Sequence, residues 1–142
     1  MYEPIRTKSV HKATGAYPHR SREEELDIQL AGHLSALLAL TDELRTLTTD
    51  ADRAADLTAA VERLAQQVAR LRGGVPPVRA AVAAAVHEPH IASLHQRAHA
   101  LAGRALVVAA SRADTSAAIL AAERMDAHEA AIGSARELTG AH

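Results

Sequence analysis

Seven positions between Leu26 and Leu47 fall in strict steps of four and three: Leu26, Leu30, His33, Leu37, Leu40, Leu44 and Leu47. Only an α-helix returns residues at that spacing to one face. A helix carrying such a leucine seam must be covered by other helices, and the chain supplies three more amphipathic stretches. Ala54, Leu57, Val61, Leu64, Val68 and Leu71 form a second seam. Ile91, Leu94, Ala98, Leu101, Ala105 and Val108 form a third, and Ala118, Ala121, Met125, His128, Ile132 and Ala135 a weaker fourth. The chain has no Phe, Trp or Cys, and both tyrosines, Tyr2 and Tyr17, lie in the first 20 residues. The core must therefore be Leu, Val, Ile and Ala, a set that suits closely packed helices better than sheets.

The punctuation between the seams sets the boundaries. Ser21-Arg22-Glu23-Glu24 matches a capping box, and the acidic run that follows suits the positive end of a helix dipole. Thr49-Asp50 supplies a turn and a cap, Gly73-Gly74 a stop, and Val75-Pro76-Pro77 a barrier to simple continuation. Pro89 disfavours helical geometry at Glu88. Asp114 can cap a last helix that Gly140 ends. The expectation is an all-α, antiparallel up-down-up-down four-helix bundle in residues 21–142, with a flexible basic N-terminal arm in residues 1–20. Helices are expected at about 22–48, 51–72, 89–112 and 114–138. A short extra helix at 77–88 is expected to fold over the bundle end, because a straight helix from 78 to 112 would be about 50 Å long.

With 142 residues there is one domain. The lack of cysteine removes disulfides and thiolate metal sites. No apolar run reaches a membrane span and the charged N-terminus does not read as a signal peptide, so a soluble, cytoplasmic protein is expected. The net charge of −1 divides into +3 over residues 1–20, from Arg6, Lys8, Lys12 and Arg20 against Glu3, and −4 over the rest. A slightly acidic body argues against nucleic acid as the main partner. No glycine-rich phosphate loop and no Ser-His-Asp arrangement can be drawn.

Histidine is the residue type that stands out. His33 interrupts a leucine seam, His128 sits on the fourth seam, and His95 and His99 lie one helical turn apart. In an up-down-up-down bundle, a rise of 1.5 Å per residue puts His33, His95, His99 and His128 roughly 20–25 Å from a common end. All four would share one layer. Imidazoles at i and i+4, joined by others from facing helices, can bind a divalent metal such as zinc, with Asp126 or Glu129 adding a carboxylate. His33 with His95-x-x-x-His99 superficially resembles the three-histidine site of DinB-like four-helix metalloproteins, a likeness of three residues that assigns no family. The competing role for His33 and His128 is a buried neutral imidazole hydrogen-bonded inside the core. His87 and His90, either side of Glu88-Pro89, read as surface or ion-paired groups near Glu23–Glu25.

Three function classes follow. The leading expectation is a non-enzymatic helical protein that acts through protein contacts, as a homodimer or with a protein partner. Ala80 to Ala85, Ala109-Ala110 and Ala117-Ala118 motivate it, because they put small apolar side chains where charge would be expected. The second class is a metal-binding bundle with hydrolase- or lyase-type activity centred on His33, His95, His99 and His128. The third is a regulator that contacts nucleic acid through the basic arm.

Overall fold

Ser21 opens the first helix in the way its spacing to Glu24 predicts. In the computed structural model, which describes residues 21–79 and 88–140, the Ser21 Oγ accepts the Glu24 N–H at 3.1 Å. The Glu24 carboxylate accepts the Ser21 N–H at 2.8 Å, which completes a reciprocal capping box. Helix α1 spans Arg22–Leu47, α2 Ala51–Leu71, α3 Glu88–Ser111 and α4 Thr115–Gly140. The described residues contain no strand. The expected arm at 1–20 lies outside the described residues.

The helix ends follow local chemistry. The Asp50 carboxylate accepts the Asp52 N–H at 3.0 Å and caps α2. α2 stops in a left-handed turn at Gly73, φ 70°. Gly73 N–H donates to Arg70 C=O at 3.4 Å and Gly74 N–H to Ala69 C=O at 2.7 Å, the paired closure that a left-handed residue permits. α3 ends with the same closure: Ala113 N–H donates to Ala110 C=O at 3.1 Å and Asp114 N–H to Ala109 C=O at 2.9 Å. Here the left-handed residue is Ala113, φ 57°, not a glycine. Asp114 then caps α4 by accepting the Ala117 N–H at 3.3 Å.

These tight turns make two antiparallel hairpins, α1–α2 and α3–α4, whose relative orientation differs from the alternation expected. Arg112, at the end of α3, donates to Asp27, near the start of α1, at 3.1 Å. His90, near the start of α3, lies 3.0 Å from Glu43, near the end of α1. α3 is therefore antiparallel to α1 and parallel to α2. α1 packs on both α2 and α3, α3 packs on α4, and α2 touches α4 only lightly. The order is up-down-down-up, with the parallel pair α2 and α3 on one diagonal.

The connection after α2 explains the difference. Val75–Arg79 is not helical, and Arg79 clasps Asp42 near the far end of α1 at 2.5 and 2.6 Å. Five extended residues, Val75–Arg79, reach about 16 Å, and the long Arg79 side chain covers the remainder of the roughly 22 Å along α1 from the level of Asp27 to that of Asp42. Pro76-Pro77 favours this extended backbone. Residues 77–79 of the expected short helix are thus part of an extended strap, and residues 80–87 lie outside the described residues.

The leucine seam does form the core. Leu30, Leu37, Leu40, Leu44 and Leu47 are buried, joined by Leu34 and Leu38, while Leu26 and His33 are half-buried. Leu57, Val61, Leu64 and Val68 answer from α2. α3 and α4 bury mostly alanine: Ala98, Ala102, Ala105 and Ala109 on one, Ala117 and Ala121 on the other, all 0% exposed. Small side chains let these two helices approach closely, and theirs is the most extensive contact in the fold. Ala109 and Ala117, expected on an outer patch, are spent on this internal seam. Ala110 is exposed and Ala118 half-buried, whereas Ala80 to Ala85 lie outside the described residues.

Candidate functional site

A band of polar side chains crosses the middle of this apolar core. α4 carries Arg124 and His128 one turn apart on the same face as Leu120 and Ala131, and all four are buried. α3 delivers His95 to the same height. The His95 and His128 rings meet with their Nδ1 atoms 2.9 Å apart and their centroids 5.2 Å apart. One Nδ1 donates the single proton and the other accepts, so each ring is satisfied on that edge as a neutral imidazole. His128 is 0% exposed and His95 8%.

Burial is the main force on both rings. It pushes His95 down to about 4, helped by the charges of Arg53 and Arg124. It pushes His128 down to about 3, helped by Arg124, His95 and His99. Both imidazoles are neutral at neutral pH. Arg124, 4% exposed, reaches across to α2 and donates from Nη1 to the Asp56 carboxylate at 2.9 Å. Its Nε and the His128 Nε2 are buried with no hydrogen-bond partner among the described residues. From α1, Thr41 contributes a fully buried hydroxyl, which donates to its own helix at Leu37 C=O, 2.7 Å away.

The four histidines expected in one layer do not assemble. His95 and His128 meet, and His99 lies beside them with its Nε2 3.7 Å from Glu129, on the rim. His33 does not join. With α3 antiparallel to α1, the level of His95 falls near Thr41, and His33 lies about 12 Å further along α1. The shared height rested on parallel α1 and α3, which the crossover strap reverses. Among the described residues, no group of three or more His, Cys, Asp or Glu side chains is disposed to hold a metal ion. The charges of Arg124 and Arg53 on the histidine pair also oppose a divalent cation there. The likeness to DinB-like sites thus loses one of its three residues. The His90 Nε2 lies 3.0 Å from the Glu43 carboxylate, at the other end of α1 from the Glu23–Glu25 run; His87 lies outside the described residues.

Arg124, Asp56 and Arg53 escaped the sequence reading. The spacing places the fourth seam on Ala118, Ala121, Met125, His128, Ile132 and Ala135, whereas the buried row among the described residues is Ala117, Leu120, Ala121, Arg124, His128 and Ala131. Both rows keep the three-four spacing. Choosing the true one means accepting a buried arginine, and only its partner on α2 makes that tolerable.

At the end of the bundle where α3 turns into α4, Asp27, Arg70, Arg112 and Asp114 line an open polar hollow of about 300 Å³. Arg70 donates to Asp114 at 2.7 Å and Arg112 to Asp27, so its charges are paired internally. Among the described residues, no helix is long and apolar enough to cross a membrane. Compared with protein-family models, with curated proteins and with solved structures, the chain finds no match.

Proposed function

We propose that this chain is a non-enzymatic helical protein that acts through protein contacts, pairing with a second copy through the outer face of α3 and α4. The observation that supports the reading is the exposure of Val107, 66%, and Ile119, 53%. Each lies on the solvent-exposed side of its helix, and the α3–α4 turn puts the two at about the same height. Around Val107, Ala100 and Ala110 are exposed and Gly103 is half-buried, so a facing helix could approach closely on that side, with the exposed Arg104 bordering the patch. A buried large aliphatic side chain contributes about 1.5–3 kcal/mol, which gives each copy's pair of anchors a measurable effect on association.

Sedimentation equilibrium of the full chain tests this. A dimer that becomes a monomer in Val107→Glu, with the helical signal unchanged, is the expected result. A wild-type chain that stays monomeric at the highest concentrations reached would overturn the pairing.

A further inference from the structure

We propose that the polar layer between α3 and α4 holds a small monovalent anion, received by Arg124 Nε and His128 Nε2. Both atoms belong to side chains more than nine-tenths buried, at 4% and 0% exposure, and neither has a hydrogen-bond partner among the described residues. The two residues stand at i and i+4 on α4, where side chains are neighbours. Leaving a buried donor unmatched costs on the order of 1–3 kcal/mol, so Arg124 Nε–H, joined by His128 Nε2–H in the tautomer that protonates it, calls for an acceptor in this leucine–alanine core.

The charge around them decides what that acceptor is. Arg124 and Arg53 act on the histidine pair from α4 and α2. Of the carboxylates near this height, the buried Asp42 is held by Arg79, and the others stand at the rim: the Asp56 side chain is 54% exposed and that of Glu129 74%. The buried end of the layer is therefore rich in donors and poor in acceptors. A cation is repelled there, and a multivalent anion would cost too much to desolvate. A chloride, nitrate or formate matches the charge and is small enough to need little room between packed helices.

The imidazole pair adapts to such a guest. With His95 Nδ1–H donating and His128 Nδ1 accepting, the only proton of His128 sits on Nε2 and points to the anion. The opposite tautomer presents a lone pair at Nε2, which a water molecule could satisfy but an anion could not. The protonation pattern of His128 therefore separates the two occupants.

The test is a titration of the full-length protein with sodium chloride, nitrate and formate at neutral pH. Ionic strength is held with sodium gluconate, an anion too large for the layer, and the ring nitrogens are followed by ¹⁵N NMR. Expected is a saturable change at His128, with Nε2 protonated in the bound form. The midpoint should weaken tenfold or more in Arg124→Lys, which keeps a positive charge but has no Nε–H at that depth. Arg63→Gln, on the α2 surface, should titrate as wild type. Should Arg124→Lys fail to fold, His128→Asn is followed through the α4 amides, and the same loss is expected. The proposal is overturned if none of the three anions gives a saturable change, if Nε2 of His128 stays unprotonated, or if the folded variant binds as wild type does.

Discussion

Ala113 closes α3 with φ 57°, a conformation that costs an L-residue with a Cβ about 1 kcal/mol. Gly73 does the same task for α2 at φ 70° with no such cost. Ala113→Gly should accordingly stabilise the fold by roughly 0.5 kcal/mol, after the entropy glycine adds to the unfolded chain, and Gly73→Ala should destabilise it by about 1 kcal/mol. Urea melts of the two variants measure both signs. The histidine pair gives a second expectation at this scale. With His95 lowered to about 4 and His128 to about 3 by burial and neighbouring charge, the folded protein refuses protons that the unfolded chain binds below about 6.5. Their contribution is therefore fully present above that pH and drains away as pH falls toward 4. Stability measured from pH 7 to pH 4 should decline in wild type and decline less in the double variant His95→Leu/His128→Leu. Of the residues involved, His128 was visible as a polar group on an apolar seam. Arg124 was not, because an arginine in a three-four pattern reads as a boundary residue until its partner Asp56 on another helix is known.

Helix by helix, α1 and α2 were easy to read because most of their buried positions are leucine and valine, which contrast sharply with the charged residues between them. α3 and α4 were harder. Alanine occurs on their buried and exposed faces alike, Ala109 at one extreme and Ala110 at the other, so hydropathy barely marks which side turns inward. The packing is nevertheless exacting. Ala102 is 0% exposed at the α3–α4 contact, so Ala102→Leu would force the helices apart at a cost of about 1–3 kcal/mol. Thermal unfolding should show the loss, whereas Ala100→Leu, on the exposed side, should change stability by less than about 0.5 kcal/mol. Met125 has more freedom: its Cε lies 3.7 Å from where a Cβ on Gly103 would stand, and an unbranched side chain can shift to fill or yield that space.

At the scale of the whole molecule, the helical class and the four long helices of the described residues were legible, and the order in which they pack was not. Val78, Ala81, Val82, Ala85 and Val86 suggest a short helix, which points to a turn at one bundle end. Instead, the Val75–Arg79 segment travels along the outside, and Val78 is left 98% exposed. What holds the strap is a tertiary contact, Arg79 to Asp42, that no local pattern announces. Cysteines introduced into this cysteine-free chain test the arrangement. Asp27→Cys with Arg112→Cys should be joined by a short thiol-reactive crosslinker, and Asp27→Cys with His90→Cys should not.

The same arrangement sets how the bundle would carry load. α1 and α4 run in the same direction, so Ser21 and Gly140 stand at opposite poles of the molecule. Tension applied between them is directed along the helix axes. It must slide α1 against α3 and α3 against α4, straining many side-chain contacts at once. In an alternating bundle the two points would lie at the same pole, and the helices would peel apart one contact at a time. The crossover strap thus turns a bundle that would open like a zipper into one that resists pulling in shear.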